Sequence, residues 1–246
     1  MSRIKSLMLL LGSGFATWLV YYWAAVYFDS QMPIFMASMI LTSVLIHEFG
    51  HWVAMEMNGV RAHVFIAVIV GGTVPEDESR MKSLSWAKQS VITLAGPAGS
   101  LLVVALAVIM NYAGMLDDLS MSRIANANGA LLLFNLIPIG PLDGGRFAKL
   151  LFDSVPEQKD WLYALTIVWS VLAVILFVST VSTESYFFSA LLVLWSTKKQ
   201  SLKDDPCGSS NKKAMTTAEC QIATAIFLAL IGMGIMLEAT SLSWPA

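Results

Sequence analysis

Charged residues and cysteines are scarce in this sequence, and each shortage excludes a class of protein. Of its 246 residues only 13% are charged, whereas 57% are hydrophobic, and the mean hydropathy is +0.68. Soluble domains carry about 25% charged residues, so this composition excludes an ordinary soluble domain and predicts an integral membrane protein. Cys207 and Cys220 are the only cysteines. Two thiols indicate neither a disulfide framework nor a cysteine-based zinc site.

The sequence also lacks an excess of either charge. Its formal net charge is −2, and no run of basic residues alternates with aromatic ones. Proteins that bind nucleic acids need a basic surface to meet the phosphates. We therefore expect no nucleic-acid partner, and we expect a lipid bilayer to surround most of the chain.

Apolar stretches long enough to form helices occur along the whole chain. A helix needs about 20 apolar residues to cross a bilayer core of about 30 Å. Pro138 and Pro141 interrupt the fourth stretch, and the sixth is short. The pattern predicts an all-α polytopic membrane protein with about six to seven transmembrane helices. The stretches are residues 8–28, 33–57, 86–113, 124–142, 161–181, 185–197 and 218–238.

Lysine and arginine residues are distributed unevenly among the loops. They cluster after the second, fourth and sixth apolar stretches, whereas the intervening loops carry almost none. Positively charged loops remain on the cytoplasmic side of a membrane. This asymmetry predicts a cytoplasmic N-terminus.

Two histidines and a glutamate interrupt the second apolar stretch, in the order His47, Glu48, Phe49, Gly50, His51. Ionisable groups inside a membrane are costly, so they require a functional explanation. On a helix, His47 and His51 share a face and can hold one metal ion, while Glu48 lies beside them, where it can accept a proton from water. If this helix begins near Pro33 on the outer side, His47 lies about 21 Å along it, toward the cytoplasm.

A catalytic zinc ion usually has three protein ligands and one open position. Asp143 is the candidate third ligand, because it is the only acidic residue near the proline-broken segment at residues 134–146. Glycines and prolines there allow a non-helical backbone, which is tolerated at membrane depth only where it faces protein or water. The segment ends on the same predicted side of the membrane as His51.

The sequence HEFGH at residues 47–51 is followed about ninety residues later by NLIPIGPLDGG at residues 135–145. The pair resembles the site-2 protease family of intramembrane zinc metalloproteases, over the second to fourth apolar stretches. The resemblance implies a zinc metalloendopeptidase that hydrolyses a peptide bond in or near a transmembrane segment of another membrane protein. Regulated intramembrane proteolysis and clearance of signal-peptide remnants are the two implied roles.

The resemblance also implies a role for each motif residue. It implies that His47, His51 and Asp143 bind one Zn2+ per chain and that Glu48 is the catalytic base. Asn135 is the motif asparagine expected near bound substrate.

The domain organisation and location follow from the same resemblance. We expect one membrane-embedded protease domain at residues 1–246, with a catalytic core at about 33–150 and additional C-terminal spans at 151–246. We expect the compact form of the family, without a PDZ or CBS domain. The expected location is a bacterial inner membrane, with the active site toward the cytoplasm. A transmembrane protein is the expected substrate, and assembly as a homo-oligomer stays open.

Two further segments fit this interpretation. Residues 59–74 are rich in β-branched residues and contain a Gly-Gly pair, which predicts a small membrane-associated β-hairpin after the HExxH helix. It resembles the β-loop of the family, which is suited to pairing with an extended substrate. Residues 94–100, LAGPAGS, supply small side chains that let helices approach closely, and they resemble a Gly-Pro stretch of the family.

Two alternatives remain open from the residues alone. In the first, the third ligand is a downstream glutamate. In the second, the same residues hold a cation in a non-proteolytic membrane metal-binding or transport protein, although the chain lacks the several paired intramembrane acids that a transport path usually has. The glutamates available are Glu157, Glu184, Glu219 and Glu238.

Overall fold

The computed structural model describes residues 3–27, 32–67, 70–138, 142–154 and 217–241. The predicted spans at 161–181 and 185–197 lie outside these residues. The described elements, in chain order, are α1 (Arg3–Tyr27), α2 (Pro33–Met57), β1 (Ala62–Ala67), β2 (Val70–Pro75), α3 (Glu78–Ser83), α4 (Trp86–Tyr112), α5 (Asp118–Asn135), α6 (Asp143–Ser154) and α7 (Thr217–Ser241).

Helix α2 carries the HExxH motif, and the residues at its two ends explain where it begins and ends. It begins at Pro33, which suits a first turn because that turn needs no backbone N–H. After the helix, Gly59 has a φ of +72°. Its N–H donates to the Glu56 carbonyl, and the Val60 N–H donates to the Met55 carbonyl. This is a Schellman motif, and it turns the chain from α2 directly into the hairpin.

The predicted β-hairpin is present. Strands β1 and β2 pair antiparallel, with Val64 opposite Thr73 and Phe65 opposite Gly72. Side chains alternate between the faces of a strand, so Val64 and Thr73 share one face and Phe65 lies on the other. The Phe65 ring fills the space that a side chain at position 72 would need.

The chain divides into two compact units, and the first contains residues 1–78 and 95–128. Within it, α1 packs against α2 and β1, and the hairpin packs against α2. The Trp18 indole N–H donates to the Ser38 hydroxyl at 3.0 Å, which ties α1 to α2. The Asn128 amide donates to the Ser43 hydroxyl at 2.9 Å.

The second unit contains residues 79–94 and 129–246. Within it, the rings of Phe147 and Phe227 stack with their centroids 4.7 Å apart. Gly234 lies against the side chain of Leu133, where a methyl group would be 2.9 Å from that side chain. The prediction of a single membrane-embedded domain over 1–246 stays a prediction.

Two of the described helices, α2 and α4, are long and apolar enough to cross a membrane, and α7 contains a shorter apolar stretch at Gln221–Met236. The mostly helical architecture is confirmed, whereas the described helices do not confirm the count of six to seven spans. The fourth predicted span is broken as expected. Helix α5 ends at Asn135, and α6 begins at Asp143.

Helix α4 ends in the same way as α2, and this end offers a test of the fold. Gly114 follows it with a φ of +70°, and a methyl group at this position would have no atom within 4 Å. Gly114→Ala should therefore cost about 1 kcal/mol through backbone strain alone. We expect thermal unfolding in detergent to occur roughly 2–4 °C lower.

The matched control is Gly12→Ala, because Gly12 lies within α1 and a methyl group there would also have no atom within 4 Å. Alanine is the better helix former, so this change should leave the melting temperature equal or higher. Equal melting temperatures for Gly114→Ala and the wild type would contradict the assigned helix end.

Candidate metal centre

Helix α2 presents the two motif histidines and the glutamate in a buried position. His47, Glu48 and His51 are 2%, 7% and 4% exposed. The imidazole rings of His47 and His51 lie with centroids 5.0 Å apart and their planes at 79°. One turn of helix thus brings the two rings together, as the spacing of four residues predicts.

Asp143 is the residue that completes the donor set. It lies in the first turn of α6, where the positive end of the helix dipole favours a carboxylate, and it is buried. His47, His51 and Asp143 each offer a ligand atom, and these atoms lie within 4.8 Å of one another. Within the described part of the chain, no other group of three such residues could hold a metal ion. Two imidazoles and one carboxylate form a donor set that suits zinc and leaves a fourth position open.

Ser100, on helix α4, forms a hydrogen bond with Nδ1 of His47, a proposed metal ligand. Its hydroxyl lies 3.1 Å from Nδ1 of His47, and Ser100 is fully buried. A partner at Nδ1 fixes the orientation of the ring and leaves Nε2 available for a metal. The sequence indicated only that residues 94–100 are small, so it gave no signal for this contact.

Glycines let α2 and α4 approach closely beside the histidines. A methyl group at Gly96 would overlap the His51 ring, and one at Gly99 would lie 2.8 Å from the Ile46 carbonyl oxygen. A methyl group at Gly50 would overlap the Ala95 carbonyl. The predicted role of the small residues, close helix packing, is confirmed, and Gly96 in addition leaves space for His51.

Strand β2 contacts the catalytic-base candidate directly. The Thr73 hydroxyl lies 2.9 Å from the Glu48 backbone oxygen and 2.9 Å from its Oε2. A methyl group at Gly71 would lie 2.7 Å from Cγ of Glu48. The sequence predicts a hairpin after the motif helix but not the contact of Thr73, because the position of Thr73 beside Glu48 depends on how the hairpin folds back onto α2.

Asn135 is the last residue of α5, and its side chain is half-buried. Its Nδ2 donates to the Leu131 carbonyl at 3.0 Å, within the same helix. Its expected role near substrate stays a prediction.

The alternative with a glutamate as third ligand finds no support in the described residues. Glu157, Glu184 and the side chain of Glu238 lie outside them, and Glu219 is exposed at the start of α7. Among the side chains that the structure describes, Asp143 is the acid that forms a group of possible metal ligands with both histidines.

Comparison with known proteins finds similarity to the same family. Residues 35–120 match Peptidase family M50. "Stage IV sporulation protein FB" of Bacillus subtilis is 30% identical over 121 residues, which are 49% of this chain and 41% of that protein. "Putative zinc metalloprotease Rip3" of Mycobacterium tuberculosis is 33% identical over 120 residues, which are 46% of this chain and 30% of that protein.

These matches confirm the predicted resemblance to site-2-type zinc metalloproteases. The family match includes the HExxH motif. The matched segments span less than half the length of the relatives. The family match ends at residue 120, before Asn135 and Asp143. Asn135 is therefore supported by the sequence motif alone, whereas Asp143 is supported by the motif and by its geometry.

The contact between Ser100 and His47 predicts an effect on metal affinity. Ser100→Ala should weaken metal binding about 10- to 100-fold, because the His47 ring loses the partner that orients it. Competition with a chromophoric zinc chelator measures this affinity in detergent.

Ser90→Ala is the matched control. Ser90 is also buried on α4, but its hydroxyl has no hydrogen-bond partner, so its loss should leave metal affinity unchanged. Metal affinity of Ser100→Ala within twofold of the wild type would contradict the orienting role.

Proposed function

We propose that this chain, which carries a Peptidase family M50 segment, is an intramembrane zinc endopeptidase. Its substrate is a membrane protein that it cleaves in or near a transmembrane segment. The observation that carries the proposal is the buried group of His47, His51 and Asp143 with ligand atoms within 4.8 Å, beside Glu48 on an apolar helix. So many ionisable groups at membrane depth are retained only where they serve a function.

Glu48 is the general base and then the general acid of the proposed reaction. Zinc, when bound, supplies Lewis-acid activation of water and of the peptide carbonyl. Glu48 accepts a proton from the attacking water and delivers it to the leaving amine nitrogen as the peptide C–N bond breaks. Because Glu48 is buried, the local dielectric constant is low, and its electrostatic interactions with the reacting groups are stronger than they would be in water.

The substrate must become extended before it can be cut. A transmembrane helix satisfies its carbonyl groups internally, which hides the scissile bond. We propose that β1 or β2 pairs with the unwound segment and that Asn135 contacts it with its amide. The position of the hairpin against Glu48 supports the first role.

The proposed location is a bacterial inner membrane with a cytoplasmic N-terminus. Two apolar helices and the bacterial origin of both relatives support a membrane location of this kind. The basic loops support the orientation, which sets the metal centre toward the cytoplasm. Membrane-tethered transcription regulators, their inhibitors and signal-peptide remnants are the proposed substrates.

The described residues favour hydrolysis over ion transport. They contain one group of metal ligands, whereas a transport path needs further intramembrane acids along the membrane.

Glu48→Gln tests the proposed chemistry. The amide cannot accept the proton, so cleavage of a transmembrane reporter in proteoliposomes should fall about 10²- to 10⁴-fold. Zinc content, measured by atomic emission, should stay near one ion per chain. Wild-type cleavage by a variant with full zinc would exclude Glu48 as the base.

Asp143→Asn tests the third ligand. A neutral amide is a poorer zinc ligand than a carboxylate, so we expect this variant to lose most of its zinc during dialysis. Glu219→Gln is the control, because Glu219 is exposed on α7 and should not affect zinc content. The opposite pattern would favour the glutamate alternative.

A further inference from the structure

We infer that Thr73 is a positioning residue for Glu48, so that the β-hairpin is part of the catalytic apparatus. This inference deepens the proposed function and rests on it. Its basis is a single hydroxyl 2.9 Å from two different atoms of the proposed base, the backbone oxygen and Oε2 of Glu48. Both side chains are buried, so bulk water does not compete for these hydrogen bonds.

Thr73 contacts one more hydrogen-bond acceptor than its single hydroxyl proton requires, and this additional acceptor is the carboxylate. One acceptor satisfies the single hydroxyl proton, as two other buried hydroxyls among the described residues illustrate. Thr93 donates to the Gln89 carbonyl and Ser43 to the Met39 carbonyl, each four residues back in its own helix. Thr73 instead contacts Glu48 on helix α2, 25 residues away, which is the proposed base.

The hydroxyl can serve Glu48 throughout the proposed proton transfer. It donates to Oε2 while the carboxylate is charged. Oε1, which the hydroxyl does not contact, is left to accept the proton from water and to pass it on to the leaving amine. The hydroxyl keeps its contact with Oε2 in both protonation states, so the side chain need not swing away.

The pairing of the hairpin fixes where this hydroxyl lies. Thr73 pairs with Val64 and Gly71 pairs with Ile66, which is buried on the face toward α2. Gly71 has no side chain, so β2 can lie directly on α2, where a methyl group would be 2.9 Å from Val44 and 2.7 Å from Glu48. A shift of one residue in the pairing would turn Thr73 to the opposite face.

Three variants separate positioning from plain structural support. Thr73→Val keeps the shape and removes the hydroxyl, Thr73→Ser keeps the hydroxyl, and Thr93→Val removes an equally buried hydroxyl elsewhere. In proteoliposomes with a transmembrane reporter, we expect Thr73→Val to lower kcat about 10- to 100-fold, because a misplaced base reacts poorly. KM, zinc content and melting temperature should stay near the wild-type values.

Thr73→Ser should restore kcat to within about threefold of the wild type, and Thr93→Val should leave it unchanged. Wild-type kcat in Thr73→Val would overturn the inference. An equal loss of kcat in Thr73→Val, Thr73→Ser and Thr93→Val would also overturn it, since that pattern indicates structural support alone.

A second measurement does not depend on cleavage. The visible spectrum of the cobalt-substituted protein reports the coordination geometry of the ion, which the neighbouring Glu48 influences. Thr73→Val should shift this spectrum in the same direction as Glu48→Gln, while Thr73→Ser and Thr93→Val should match the wild type. A wild-type spectrum in Thr73→Val would overturn the inference. If the wild type cleaved no reporter, the proposed function would fail and the spectrum would still decide the role of Thr73.

Discussion

Burying the ionisable side chains of the HExxH segment in an apolar helix costs free energy, and the fold around the site offsets this cost. Each buried polar atom of the HExxH segment must find a partner, because neither lipid nor apolar side chains can supply one. Ser100 meets Nδ1 of His47, and Thr73 meets Glu48. Asp143 places a carboxylate within 4.8 Å of the ligand atoms of both histidines. The partners come from a neighbouring helix, a strand and a second helix end, so the site requires the tertiary fold.

That requirement explains the small residues around the motif. A serine hydroxyl reaches His47 only if α4 approaches α2 closely, and Gly50, Gly96 and Gly99 make this approach possible. On another side of α2, Gly71 lets β2 lie against the helix so that Thr73 reaches Glu48. The glycines therefore contribute to the proposed chemistry indirectly, by setting distances between backbones.

Those features of the fold that depend on local sequence patterns could be predicted from the sequence. Apolar length predicted the bounds of α2, β-branched residues predicted the hairpin, and Pro138 with Pro141 predicted the break before Asp143. The roles of Ser100 and Thr73 were not predicted, because the contacts of a single hydroxyl depend on which elements pack against it. The amide of Asn135 donates within its own helix, and its assigned role depends on a substrate. The number of spans depends on residues outside those described.

If His47, His51 and Asp143 hold one zinc ion, its ligands are nitrogen and oxygen atoms. X-ray absorption at the zinc edge of the purified wild-type protein measures these ligands directly. We expect scattering from two imidazoles, with all ligand atoms at about 2.0–2.2 Å from the zinc ion. A sulfur ligand at about 2.3 Å, or a spectrum without imidazole scattering, would contradict this assignment.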